Sequence, residues 1–257
     1  MKKNIRRFLC KWIGKTSSAL KDNVLKGHVF PQSMPIMWFG DFEKYEKSFV
    51  RVVTVGLNPS YKEFFERRFD GRVIKSFCKS NVNIAQDYYE TLNGYFKFCP
   101  YKKWFANFEK VLQMLGSSYG GKMNGGQKFE SCALHVDLYS PFATYPTWGN
   151  LCDDMQKRFR GETKGLFAEL ILLLKPNLII LSCGKQVVSS EFSVLKKINA
   201  PGALSKSVCG FKWIPKLKCN AINVICGRNM RGTPFGGFAI GNGKEIKKLV
   251  KRMEKVK

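Results

Sequence analysis

Two apolar segments constrain this chain more than any other feature. Residues 49–55 form a β-branched run closed by Gly56, and residues 177–184, NLIILSCG, follow directly on Lys175 and Pro176. Neither segment alternates apolar with polar residues, so neither suits a sheet with one wet face. Such runs read as strands buried on both sides, the pattern of a parallel sheet flanked by helices. Helical patterns surround them: a basic amphipathic segment within 1–27 with Ile5, Leu9 and Trp12 at helical spacing, then 83–98 and 101–116 on either side of Pro100. Further on come 151–174, weakened by Gly161 and Gly165, then 185–197, and a basic segment from Asn242. Residues 132–138, 207–214 and 220–226 are further strand candidates. Strands alternating with helices predict an α/β protein, a three-layer α/β/α sandwich around a central, mostly parallel four-stranded sheet. With no internal repeat and no linker in view, residues 50–257 read as one domain, and residues 1–49 as a basic, helical extension packed on it.

The charge narrows the function. Lys and Arg number 44 against 19 Asp and Glu, a formal charge of +25 in 257 residues. A chain so basic concentrates on polyanions, because each phosphate it neutralises releases condensed counterion. Nucleic acid is the leading partner, with solubility and an anionic membrane surface as the alternatives. The cations are interleaved with aromatics, as in EFFERRF and YFKFCPYKKWF, rather than confined to one tail. No membrane span is expected, because Glu169, Lys175 and Pro176 interrupt the longest apolar stretch, 166–181. The N-terminus begins like a signal peptide, but Lys11 and Lys15 break its apolar stretch, so the expectation is a cytoplasmic protein, nucleoid-associated in a prokaryote. Nine cysteines without a CxxC pair read as reduced core residues, and with only His28 and His135 to supplement them neither a metal nor another cofactor is expected. No obligate protein partner is evident.

In parallel α/β sheets ligands bind at the carboxyl ends of the strands. The loops to inspect are therefore GLNPS (56–60), DLYSPFAT (137–144), CGKQ (183–186) and CGRNMRGTPFGGF (226–238). The segment VRVVTVGLNPSYKEF, residues 50–64, resembles the first motif of the uracil-DNA glycosylase superfamily: a buried strand, then Gly, a variable residue, Asn or Asp, and Pro. Three further pieces follow in order, namely the aromatic Phe69, a strand ending at Asp137, and a last strand feeding the loop Arg228-Asn229-Met230-Arg231-Gly232. The resemblance covers residues 50–257 and implies the glycosylase-like fold, with DNA as partner and one base flipped out of the duplex.

The resemblance implies roles for named residues. Asn58 positions the water that attacks C1′ of the flipped nucleotide, and its competing reading is an Asx turn that caps the helix starting near Ser60. Gly56 lets the backbone approach the ligand, Leu57 joins the base-binding set, and Pro59 and Ser60 fix the turn and contact a phosphate. Phe69 stacks on the extruded base, with Phe65 and Phe77 as rivals. Asp137 stands where many members carry an Asn that reads uracil. A carboxylate offers only acceptors, which suits an exocyclic amine such as cytosine N4 and disfavours plain uracil. Asp137 also reads as a general base or as a turn cap. Asn229 matches the residue that stabilises the leaving base, with Arg228 as competitor, and Met230 or Arg231 is the wedge into the emptied stack; a phosphate loop without chemistry is the rival reading. Lys62 and Lys185 serve phosphates rather than acting as lyase nucleophiles. His135, in an apolar run, reads as a hydrogen-bonded core histidine. The expected function is a monofunctional DNA glycosylase that excises a damaged or modified base, a modified cytosine above all, and leaves an abasic site; defence against viral DNA is a setting that fits. The alternatives are a non-catalytic nucleic-acid-binding protein that retains the fold and a hydrolase of free nucleotides.

Overall fold

The computed structural model describes the chain except for residues 32, 65–83, 99, 193, 201–207, 216–219, 228, 231–232, 236–242 and 256–257; at 185, 194–196, 229–230 and 233 it describes the backbone alone. Six strands form the main sheet: β1 (Val52–Gly56), β2 (Leu134–Asp137), β3 (Leu178–Ser182), β4 (Val194–Asn199), β5 (Val208–Trp213) and β6 (Ile222–Gly227). Their order is β2-β1-β3-β6-β5-β4. The first four run parallel, whereas β5 and β4 are antiparallel to their neighbours. The protein is thus α/β with a mixed six-stranded sheet, not the mostly parallel four-stranded sheet that the sequence predicts. The difference lies at one edge. Residues 194–197, the end of the helix that the sequence reading places over 185–197, belong instead to β4, which pairs with β5. An antiparallel pair needs no crossover helix, so β4 and β5 can be neighbours both in the chain and in the sheet.

Among the described residues the seven longer helices are α1 (Lys3–Ala19), α2 (Ile84–Phe98), α3 (Lys102–Met114), α4 (Asp153–Glu162), α5 (Leu166–Leu174), α6 (Lys185–Glu191) and α7 (Gly243–Glu254). The pattern over 151–174 is two helices, broken where Gly165 takes φ +92°, a conformation that a residue with a Cβ rarely adopts. Every residue of β1 and β3 is buried, as unbroken apolar runs require. One core cluster joins the sheet to Phe105, Phe108 and Leu112 of α3, Leu170 and Leu174 of α5, and Ile246, Leu249 and Met253 of α7.

The first 49 residues contribute to this core. Ile5, Leu9 and Trp12 of α1 lie in the same cluster, and Phe39 pairs with His135 of edge strand β2, each backbone N–H donating to the other's carbonyl at 2.8 and 3.0 Å. Among the described residues no helix is long and apolar enough to cross a membrane. The described cysteines divide: Cys183 and Cys226 are buried, while Cys10 and Cys152 are exposed rather than core residues, because α1 turns Cys10 outward and Cys152 sits at the start of α4.

Candidate active site

The parallel register of β1 and β2 sets Gly56 beside Asp137. Their outgoing loops then run side by side. The Leu138 N–H donates to the Gly56 carbonyl at 3.0 Å, the Tyr139 N–H donates to the Leu57 carbonyl at 2.9 Å, and Ser60 bridges to Thr144. Asn58 fastens this pair of loops. Its Nδ2 donates to the carbonyls of Pro59 and Phe142 at 2.9 and 3.2 Å and lies 3.1 Å from Thr144 Oγ1. Its Oδ1 has no partner among the described residues, so the acceptor half of a fixed amide is left over. The cap of the following turn is Ser60, not Asn58: Ser60 Oγ accepts from the Lys62 N–H at 3.2 Å. Pro59 is buried, Leu57 is half-buried, and Lys62 is exposed with its ammonium 5.9 Å from the Tyr101 ring centre.

Asp137 is buried. Its side chain is 3% exposed, its Oδ1 lies 3.7 Å from His135 Nε2, and its Oδ2 has no hydrogen-bond partner among the described residues. It caps no turn, which removes that reading. Gly56 explains how the carboxylate fits. A Cβ there would stand 2.6 Å from Asp137 Oδ1 and 3.0 Å from His135 Nε2, so the close approach that this glycine permits is that of the Asp137–His135 pair rather than of a ligand. Burial pushes the Asp137 carboxyl above the usual carboxylate range, and the neighbouring imidazole opposes that shift. A carboxyl held protonated presents a donor as well as acceptors.

His135 belongs to the core and to the site together. It is buried among the rings of Phe39, Phe105 and Phe108, with centres 5.0–5.6 Å away. Its Nδ1 lies 2.8 Å from Thr54 Oγ1, which in turn lies 2.5 Å from the Tyr119 hydroxyl. Residues 135 and 137 share one face of β2 because strand side chains alternate with period two. That spacing is the sequence signal that links the imidazole to the carboxylate.

These groups open on a cavity of about 490 Å³ lined by Leu57, Asn58, Pro59, Ser60, Lys62, Glu63, His135 and Asp137, with aromatic walls from Phe39, Tyr101, Trp104, Phe105 and Trp148. The exposed Lys103 also borders it. Its volume and its mix of aromatic walls with a few convergent polar groups suit a small planar ligand. The structure thus brings Gly56, Leu57, Asn58, Pro59, Ser60, Lys62 and Asp137 together. Phe69, with its rivals Phe65 and Phe77, lies outside the described residues, as do Arg228 and Arg231. Asn229 and Met230 are described by backbone alone, as a two-residue strand paired with Thr233–Pro234. Lys185 opens α6, and its side chain is not described. The aromatic walls are what sequence reasoning misses. Trp104 shares helical spacing with Phe105, Phe108 and Leu112, a pattern of packing rather than of a ligand wall, and Phe39 reaches the site through its bridge to His135.

Among the described residues no group of three His, Cys, Asp or Glu side chains is placed to hold a metal ion. No protein-family model, curated protein or solved structure matches this chain.

Proposed function

We propose that this chain is a monofunctional DNA glycosylase of the uracil-DNA glycosylase type, with that family's three-layer α/β/α arrangement, which flips a base into the cavity and hydrolyses its N-glycosidic bond. The observation that carries this reading is the juxtaposition of a fixed Asn58 amide, whose Oδ1 is unengaged, with a buried Asp137 carboxyl, whose Oδ2 is unengaged, at the adjacent ends of β1 and β2. In the reaction the bond between C1′ and the base nitrogen breaks, the electron pair leaves with the base, and a water oxygen bonds to C1′ and gives up a proton, which ends on the departing base anion. Asn58 Oδ1 accepts a hydrogen bond from that water and holds it under the oxocarbenium-like sugar, a task of orientation that needs little basicity. Asp137 reads the base. Ionised, it accepts from an exocyclic amine, so the favoured substrate is a cytosine-type base, modified or damaged; protonated, it also offers a donor to a carbonyl. The aromatic walls supply stacking for the flipped base, and Lys62 and Lys103 supply charge for the flanking phosphates.

Duplexes that each carry one altered base, assayed by alkali cleavage at abasic sites, test the proposal. Strand breakage at an amine-bearing base is the expected result. Tight duplex binding without cleavage on any member of the panel would favour the second reading, a nucleic-acid-binding protein without chemistry. The observation on its side is that Asn58 Nδ2 is spent on holding two loops together.

A further inference from the structure

Six cations, Lys244, Lys247, Lys248, Lys251, Arg252 and Lys255, lie on α7 and the residue after it at spacings of three, four, seven and eight, which puts them on one helical face. All six are exposed. The opposite face, Ile246, Leu249 and Met253, has no exposure at all. It seats on β5, where a Cβ on Gly210 would come within 2.5 Å of Met253 Sδ. Among the described residues none of the six cations forms an ion pair, nor do Glu245 and Glu254 of the same helix. Lys251 has Lys247 and Lys248 as its neighbours one turn back, and like charges so placed destabilise a helix.

The other basic amphipathic helix is different. Around α1, Lys2 pairs with Glu46 at 2.6 Å and Lys11 with Glu169 at 2.5 Å, and the ammonium groups of Lys11 and Lys15 sit 5.4 and 4.6 Å from the centre of the Trp12 ring. Among the described residues α7 pairs none of its exposed cations, whereas α1 has Lys11 in an ion pair and both Lys11 and Lys15 beside a ring. A basic amphipathic helix that binds membranes puts its apolar face into the lipid. The apolar face of α7 is already occupied by the sheet, so what remains is electrostatic attraction to a regular polyanion. The stripe extends about 16 Å along the helix, a span over which duplex DNA presents a phosphate about every 1.7 Å. It also connects with the cavity. Helix α3 starts at the cavity, which Lys103 and Trp104 line, and ends at Met114, whose Cγ would lie 3.3 Å from a Cβ on Gly243 at the start of α7.

We propose that the cationic face of α7 is a second nucleic-acid-binding surface, which holds the phosphate backbone of duplex DNA away from the cavity mouth. The inference rests on the nucleic-acid part of the reading above and not on its chemistry.

The test uses the full chain and an undamaged duplex of about 25 base pairs, with binding measured across a range of salt. A variant with Lys247→Ala, Lys248→Ala, Lys251→Ala and Arg252→Ala is compared with one carrying Lys3→Ala, Arg6→Ala, Arg7→Ala and Lys15→Ala, which removes the same charge from α1. Every substituted side chain is exposed, and melting curves check that both variants fold. The α7 variant should bind about tenfold or more weakly near 0.1 M salt, with its log-log salt slope shallower by about 3–4, since each lost phosphate contact takes about 0.9 from it; the α1 variant should lose much less. Equal losses in the two variants, or an α7 variant that binds as the parent does, would overturn the proposal. So would an α7 variant that loses binding to phosphatidylserine vesicles while keeping its duplex affinity. Base excision is read separately: a parent chain that cleaves no base, but whose duplex affinity falls only in the α7 variant, sinks the glycosylase reading and supports this surface.

Discussion

The loop after β2 separates two cavities, and they differ in what they leave unsatisfied. The first holds a buried carboxyl with an orphan oxygen and an amide with a spare acceptor. The second, of about 570 Å³, is lined by Tyr139, Arg160, Thr163, Lys164, Glu191 and Trp213. It is the larger of the two, yet its Arg160, Glu191 and Thr163 side chains are already matched. Arg160 pairs with Glu191 and lies 4.2 Å from the centre of the Tyr139 ring, and Thr163 Oγ1 donates to the carbonyls of Tyr139 and Phe159 at 3.0 and 2.9 Å. The stacked rings of Tyr139 and Trp148, 5.6 Å apart, form the partition. Size alone favours the second cavity, and the unmatched polar groups favour the first. A buried polar group without a partner costs free energy, and Asp137 Oδ2 is such a group on the wall of a cavity wide enough for a ligand.

The sharpest way to break this contrast is Asn58→Ala. Loss of an interaction made mainly in the transition state should lower single-turnover excision by roughly 10² or more while duplex affinity stays within about twofold. Because Nδ2 also fastens the two loops, melting must accompany the kinetics, with a loss of about 1–3 kcal/mol expected. Full excision by a folded Asn58→Ala protein would take the chemistry away from this amide. Arg160→Ala, on the wall of the second cavity, should leave excision within about twofold, because that pair is half-exposed and weak.

The next effect is on selectivity. Asp137→Asn replaces an acceptor-only group with one that also donates, so the ratio of cytosine-type to uracil-type cleavage should fall by roughly tenfold or more. In the parent the same ratio should rise with pH, because a carboxyl raised above its usual range gains its acceptor-only form only as it ionises. A ratio unchanged by both the substitution and pH would show that Asp137 does not touch the base.

The legible part of the site is the part that lies within a few residues of a strand end. The apolar run into Gly56 and Asn58, and the strand into Asp137, are local patterns, and their adjacency follows from parallel pairing. What sequence reasoning loses depends on distant partners. Residues 194–199 carry too little periodicity to distinguish an edge strand from the tail of a helix, and pairing with β5 decides the matter. Phe39 enters the cavity wall through a backbone bridge to a residue about a hundred positions away, which leaves no mark on its own neighbourhood. His135 looks like a core residue because it is one, and only its period-two relation to Asp137 hints at the second role.

Stability should separate the cavities by sign. Asp137 has its carboxyl raised above the ordinary value of 3.8 by burial. Below about pH 4 folded and unfolded chains both hold that proton, so the group favours neither. As pH rises past the ordinary value the unfolded chain ionises first, and stability drains away until the folded group ionises too. Asp137→Asn removes this loss. It should therefore stabilise the protein at neutral pH, by about 1–3 kcal/mol if the orphan charge carries the usual cost of an unmatched buried group, and the gain should vanish near pH 3. Arg160→Ala removes a charge from a satisfied pair and should cost about 1 kcal/mol or less at neutral pH. Thermal melting of both variants at pH 3 and pH 7 reads the two signs directly. If Asp137→Asn destabilises the protein at pH 7, the carboxylate is held by contacts that favour its charged form, the first cavity is as satisfied as the second, and an orphan oxygen no longer distinguishes them.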